Sequence, residues 1–334
     1  MALLLRAPTL DAHLPERVVD LVRTLYTYQD RNIIQFDART ARFDSSLFYT
    51  LRPGTFVFEN REFRNEYRVN HAGMRDDEES LDSPRIIAAG DSITMGWGVE
   101  QDESFPQRME QALGDRVLNA GVSSYGTARE LSILERAHVD PARLEAIVIQ
   151  YSSTDFTENA AYFTNGGQLP TSDEPLFDSI VRYQEEARRY RPFLYIEILV
   201  RRAIGVPRPG APKSAFAQTS LPRSVEEEAR VFLYTLEHAM PAALRDARVI
   251  VTHIDIRLWN EGSLLAEMDR LRRAEPDGSL ARRAVLVDLS ARLHPEDLYV
   301  IDDHIRASGH ETVARSLLEI LAQQDNEGTL QILD

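Results

Sequence analysis

The chain has 334 residues, 43% of them hydrophobic, enough to bury one large α/β core or two smaller ones. A net charge of −15 argues against a general nucleic-acid or anionic-membrane binder, and with no cysteine neither disulfides nor thiolate metal sites contribute. The apolar run at the start is too short for a signal segment and no later run approaches the ~20 residues of a membrane span, so a soluble chain without a span is expected, cytoplasmic by default and extracytoplasmic if an upstream anchor has been removed.

In chain order, residues 14–34 carry a helical period through Val18, Val19, Leu21, Val22, Leu25 and Ile33, and residues 42–75 are rich in aromatics and short extended runs. Residues 1–80 are expected to form an N-terminal extension that packs on the rest. Then strands and helices alternate: a strand over 85–89, a helix over 105–113, a strand over 117–119, a helix over 128–137 and a strand over 146–150. Two more strands are expected at 248–253 and 284–288, each after a helical stretch. β-Branched strands in this alternation predict a parallel sheet covered on both faces, with a site at the carboxyl ends of the strands. Residues 160–225 read as an insertion. Its first part alternates apolar residues with Arg182, Arg188, Arg189, Arg191, Arg201 and Arg202, and residues 205–222 are rich in Pro and Gly and read as a mobile loop. The insertion is either a lid facing an anionic or amphipathic acyl donor or, more simply, a surface helix pair with solvated arginines. Residues 326–334 are a tail, and there is no internal repeat.

Two segments carry the chemistry. In the first, RIIAAGDSIT, a buried apolar strand breaks at Gly90 into a turn and a helix whose first turn holds Ser92, where unpaired backbone N–H groups favour developing negative charge. In the second, IDDHIRASGH, Asp302 and His304 lie two apart, ahead of an amphipathic helix over residues 311–323. A serine hydroxyl is a weak nucleophile until an imidazole takes its proton, and the imidazole needs a carboxylate on its other nitrogen. Ser92, His304 and Asp302 supply those three parts.

The segment over 85–106, then VLNAGVSSYG at 117–126, then the late Asp-x-His with Gly309 and His310, resembles the SGNH or GDSL hydrolase superfamily in order and spacing over roughly residues 50–323. The resemblance implies a flavodoxin-like three-layer α/β/α sandwich with a mostly parallel five-stranded sheet over residues 81–325, Ser92 as nucleophile and His304 as base. It further implies an oxyanion hole made by the N–H groups of Ser92 and Gly121 and a side-chain amide from a third block. Gly121 suits this because a side chain would block close backbone approach. The chain departs from the pattern twice. Thr154 stands where the oxyanion asparagine is usual, so Thr154, Ser153 or a backbone N–H takes that place; and the acid lies two residues before the histidine, a spacing similar to that of bacterial polysaccharide acetyltransferase relatives.

Competing motifs are absent: Thr94 stands where Gly-x-Ser-x-Gly needs its second glycine, and the single lysine, Lys213, lies in no phosphate loop. His253-x-Asp255 lacks a third ligand at suitable spacing and reads as a polar strand end. His310 is expected to pack at the helix start, Asp91 to brace the turn through its own backbone contacts, and Trp97 with residues 119–126 to line the pocket. Together these imply cleavage or transfer of an O-acyl group from a small-molecule or glycan ester, with no cofactor and no metal. The reading from another class is a non-catalytic relative that uses the pocket for binding.

Overall fold

The computed structural model describes residues 16–170, 172–189, 193–204, 221, 223–254, 261–289, 291–323 and 329–332. A helix at Glu16–Leu25 widens into a π-turn at Tyr26–Asp30, shorter than the helix expected over 14–34. The chain leaves the helical path there because Arg31 N–H bonds back to Tyr26 O and Asn32 is tied to Glu59 O and the Asn60 side chain. Two antiparallel hairpins follow, β1 (Ala41–Asp44) with β2 (Phe48–Leu51) and β3 (Gly54–Glu59) with β4 (Arg64–Val69). Neither hairpin is large enough to enclose a core of its own. Phe48 and Tyr49 instead join the core on one face of the main sheet, while Leu51, Phe58, Tyr67 and Val69 pack around Met95 and Trp97.

The main sheet is parallel throughout: β5 (Ile86–Ala89), β6 (Val117–Asn119), β7 (Ala146–Tyr151), β8 (Arg248–His253), β9 (Val285–Asp288) and β10 (Leu330–Ile332), in the order β10-β9-β8-β7-β5-β6. The five strands expected from the sequence are all present. The sixth comes from residues read as a tail, in which Leu330 and Ile332 alternate with Gln331 and add to the β9 edge.

Successive side chains of a strand point to opposite faces, and here both faces are covered. Ile87, Ile147, Ile149, Val249, Val251 and Leu286 share a core with the helices Thr127–Ser132, Val225–Ala239 and Glu261–Arg272. Ile86, Ala88, Val148, Ile250, Val285 and Val287 share another with Phe105–Leu113 and Ala307–Leu321. Every residue of β5 and β7 is therefore buried, which explains the apolar runs at 86–89 and 146–149. The connection from β5 to β6 runs over one face of the sheet, and those from β6 to β7, β7 to β8 and β8 to β9 run over the other. Such a switch opens a crevice beyond the carboxyl ends of β5 and β7.

In the insertion, the helix Glu174–Ala187 packs Phe177 against Phe36, Phe43 and Phe48, and Arg188 bonds Asp37 at 2.9 Å. A second helix, Leu194–Ala203, is tied to the N-terminal segment by Tyr195 Oη, 2.7 Å from Asp30 Oδ1. The loop expected over 205–222 lies outside the described residues except for Leu221. Among the described residues no helix is long and apolar enough to cross a membrane.

Candidate active site

Ser92 opens a single helical turn, Ser92–Met95, directly beyond β5. Local chemistry sets that turn. Asp91 caps it, its carboxylate accepting from Ile93 N–H at 2.8 Å, and Gly96 closes it in the left-handed region at φ +82°. Bracing the turn is the role expected of Asp91. At Gly90 a Cβ would lie 2.1 Å from Thr94 Oγ1 and 2.8 Å from Gln150 Oε1, so only glycine fits between the strand and the turn. The buried Arg75 guanidinium holds the far end, donating to the carbonyls of Gly96 at 2.5 Å and Val99 at 2.8 Å while lying on the Tyr67 ring. With one turn only, any help to a negative charge at Ser92 comes from individual N–H groups and not from a long helix dipole.

His304 and Asp302 come from the loop between Leu298 and Ile305, which pair as an isolated bridge. Ser92 Oγ lies 2.8 Å from His304 Nε2, and His304 Nδ1 lies 2.5 Å from Asp302 Oδ1. The Asp302 carboxylate can only accept, so it fixes the tautomer: Nδ1 carries the proton and Nε2 offers a lone pair to the serine hydroxyl. Asp303 Oδ1 is more distant, 3.4 Å from Nδ1, and its side chain is 24% exposed where that of Asp302 is fully buried. The Trp97 ring stacks on the imidazole, with centroids 4.7 Å apart and planes 15° from parallel, and its Nε1–H donates to Asp302 Oδ2 at 3.3 Å. Trp97, expected as a pocket wall, is thus buried and orients both partners.

Three groups around Asp302 have no counterpart in the sequence reading. Tyr26 Oη–H donates to Asp302 Oδ2; Arg31 Nη1 lies 2.8 Å from Asp303 Oδ1, with Nη2 3.9 Å from Asp302 Oδ1; and the Glu62 carboxylate accepts from the N–H groups of Val300, Ile301 and Asp302 at 2.8–3.0 Å. These contacts span about 240 to 276 positions of sequence, so no local spacing announces them. Burial by itself would raise the Asp302 carboxyl. The charge and hydrogen bond of His304, the Arg31 charge and the Tyr26 hydroxyl together hold it well below the ordinary carboxylate range. The Tyr26 phenol moves far the other way, through burial first and then the Asp302 charge.

Gly121 follows β6 and lies against the Ser92 turn: a Cβ there would meet Met95 N at 2.2 Å and Thr94 C at 2.7 Å. Its N–H donates to Asn119 Oδ1 at 3.1 Å. Thr154 follows β7 in a short 3₁₀ turn, exposed, with its hydroxyl 2.9 Å from Ser152 Oγ. Ser153, the other side chain considered for that place, is buried with Oγ 3.3 Å from His253 Nε2. His310 is fully buried; its Nδ1 accepts from Phe105 N–H at 3.2 Å, and burial pushes it down to about 3, so it is a neutral packing histidine. Asp255 lies outside the described residues. Among the described residues the carboxylates and imidazole of Asp302, Asp303 and His304 are the one group close enough to share a cation, within 4.8 Å of one another. The Arg31 guanidinium already supplies positive charge to those two aspartates.

No family model and no curated protein matches the chain. Among solved structures it is similar to a protein described as lipolytic and of the G-D-S-L family from Desulfitobacterium hafniense DCB-2, at 13% identity and TM-score 0.34, covering 70% of this chain and 98% of that one. It is also similar to a carbohydrate esterase whose active site is described as having divergent catalytic and non-catalytic binding functions, at 12% identity and TM-score 0.40, over 86% and 87% of the two chains. A third is a carbohydrate esterase family 2 enzyme with a carbohydrate-binding domain from Corynascus thermopiles (Myceliophthora fergusii), at 14% identity and TM-score 0.33, over 72% and 68%. The structural neighbours of this parallel α/β/α sandwich are thus a G-D-S-L lipolytic protein and carbohydrate esterases, and the likeness is one of fold.

Proposed function

We propose that the protein is a serine esterase that cleaves an O-acyl ester through Ser92, His304 and Asp302. The observation that carries the reading is the continuous hydrogen-bond chain from Ser92 Oγ through both imidazole nitrogens to a buried carboxylate. In the first step His304 Nε2 takes the Ser92 proton as Oγ bonds to the ester carbonyl carbon. The tetrahedral intermediate then collapses, its bond to the alcohol oxygen breaks, and the imidazolium returns the proton to that oxygen. Asp302 accepts from Nδ1–H throughout and offsets the transient imidazolium charge. Water attacks the acyl-enzyme in the same way, in reverse; a sugar or other hydroxyl in its place makes the enzyme a transferase. For the oxyanion the candidate donors are the Ser92 N–H, the Gly121 N–H once Asn119 Oδ1 releases it, and the Thr154 hydroxyl.

The test is turnover of short- and medium-chain p-nitrophenyl esters by the protein and its Ser92→Ala variant, with fluorophosphonate labelling alongside. The expected result is labelled wild type and a loss on the order of 10⁴–10⁶ in kcat for the variant, the range seen when a nucleophile of this kind is removed. Equal turnover by both proteins, or an unlabelled wild type that turns over no ester, would sink the proposal, and the second result would favour a binding role for the pocket.

A further inference from the structure

Loop 299–304 carries both the base and the acid, yet its shape is held from outside. Within the loop, Tyr299 N–H bonds His304 O at 3.0 Å. Most grips on its acid end come from the N-terminal segment, Arg23 Nε on Val300 O at 2.6 Å, the Glu62 carboxylate on three successive N–H groups, Tyr26 on Asp302 and Arg31 on Asp303, and Trp97 Nε1 adds one on Asp302 from beyond the Ser92 turn. Tyr26 and Arg31 are linked through the π-turn, because Arg31 N–H closes it on Tyr26 O. An α-helix would turn residues five apart well away from each other, whereas an i→i+5 turn brings them toward one face. Here that face is the one against Asp302.

We propose that Tyr26 and Arg31 are positioning residues of the site, Tyr26 as the fourth member of a chain Tyr26–Asp302–His304–Ser92 and Arg31 as the guanidinium that engages Asp303 and so leaves the imidazole N–H to Asp302. The inference rests on the reading of Ser92 as the nucleophile. Asp302 Oδ2 has two donors, the Tyr26 hydroxyl and Trp97 Nε1, which leaves Oδ1 directed at His304. Without the tyrosine hydroxyl, one indole N–H at 3.3 Å has to fix the carboxylate's rotation. Arg31 acts differently. Nδ1 of the imidazole already spends its proton on Asp302, so Arg31 Nη2, 3.4 Å away, reaches the ring through charge and not through a hydrogen bond. Arg31 Nη1 engages Asp303 Oδ1 at 2.8 Å, against 3.4 Å from that oxygen to His304 Nδ1, so Asp303 does not compete with Asp302 for the imidazole proton. The other charged groups facing the imidazole are Asp302 and Asp303, with Glu62 and Tyr26 behind Asp302 and the neutral, buried His310 on the following helix.

Tyr26→Phe keeps the ring that packs between Val22 and Ile301 and removes only the hydroxyl. In the full-length protein, kcat for p-nitrophenyl acetate is expected to fall about ten- to a hundredfold, part of the roughly 10²–10⁴ that positioned acid–base transfer supplies, with KM unchanged. Fluorophosphonate labelling of Ser92 should slow in parallel, and the melting temperature should stay within a few degrees. In Arg31→Met, Asp303 is freed to compete with Asp302 for His304 Nδ1–H, so kcat is expected to fall about tenfold with KM unchanged, and Arg31→Lys to restore most of it. If wild type shows Ser92-dependent turnover and both Tyr26→Phe and Arg31→Met reproduce its kcat and its labelling rate, this inference is wrong while the esterase reading stands. A wild type with neither turnover nor labelling removes the esterase reading and this inference with it.

Discussion

Ser92 and Asp302 lie at opposite ends of one hydrogen-bond chain, but the two sides of the site are built by different means. On the nucleophile side the chain's own neighbours do the work: Asp91 caps the turn two residues on, Gly90 and Gly121 allow backbones to touch, and Gln150 of the adjacent strand accepts from Asp91 N–H and the Thr94 hydroxyl. On the acid side, side chains from the first 62 residues grip a loop near position 300. Buried carboxylates show the same contrast. Asp302 is surrounded by donors and is held ionised, whereas Glu130 has both oxygens buried with no hydrogen-bond partner among the described residues and Asp155 has one such oxygen. Burial first, and then the neighbouring negative charges, push Glu130 and Asp155 well above the ordinary range. All three are buried, so what separates them is their neighbours: Asp302 has the His304 and Arg31 charges and the Tyr26 hydroxyl beside it, whereas Glu130 and Asp155 face carboxylates, and the Ser152 N–H and Thr127 hydroxyl that reach Asp155 do not outweigh its burial.

The largest effect expected on the acid side is that of Asp302→Asn. An amide has a single oxygen, so it can accept from His304 Nδ1–H or from Tyr26 and Trp97, and whichever side loses it faces an N–H₂ donor instead. The imidazole is then held in the wrong tautomer, and kcat should fall on the order of 10³–10⁴. A folded Asp302→Asn protein with more than a tenth of wild-type turnover would mean that Asp303, already 3.4 Å from Nδ1, can take over, and the contrast between the two sides would lose its basis.

The nucleophile side can be broken through its backbone. In Gly121→Ala the new Cβ meets main-chain atoms of Thr94 and Met95, which have no rotamer to escape into, so the Ser92 turn has to move. Overpacking of this kind costs roughly 1–3 kcal/mol. A displacement approaching 1 Å at Ser92 would lower kcat about 10²-fold, to be read from thermal melts and ester turnover together. An unchanged rate would show that the turn is more tolerant than its glycines suggest.

The same contrast decides what could be read from the sequence. Short-range features were legible: the strand that breaks at Gly90, the bracing of the turn by Asp91, the positions of five strands, and the residue types at Ser92, Asp302 and His304 that the fold brings within 2.8 Å of their partners. Periodicity reports which residues face a core, and β5 and β7 are buried along their whole length. Tyr26, Arg31 and Glu62 gave no such signal, because a tyrosine and an arginine near a helix end and a glutamate in an aromatic-rich stretch look like ordinary surface chemistry until a distant loop is folded against them. The π-turn that aims Tyr26 and Arg31 is equally silent, since it differs from an α-helix by one residue per turn. For Trp97 the neighbourhood was legible but the partner was not: closeness to Ser92 suggested a pocket wall, and the ring instead covers His304.

The smallest effect, and the one that separates the two kinds of carboxylate most cleanly, is expected from Glu130→Gln. A carboxyl raised above its ordinary value of 4.5 keeps its proton in the folded state at pH values where the unfolded chain has lost it. The folded state then binds more protons than the unfolded one, and stability falls as pH rises through the window above 4.5. Glutamine has no proton to lose, so this part of the slope disappears. Denaturation at pH 5 should find the two proteins within about 1 kcal/mol of each other, and at pH 8 the variant should be the more stable, by an amount on the order of 1 kcal/mol or more, typical of a favourable single substitution. Asp155, raised by the same neighbours, leaves a residual slope in both. Ester turnover should not change, because Glu130 meets neither Ser92 nor His304 in any hydrogen bond. Parallel curves with the variant less stable at every pH would mean that Glu130 is ionised in the fold and held by Arg129, whose charge already pulls it downward, and the nucleophile side would then resemble the acid side after all.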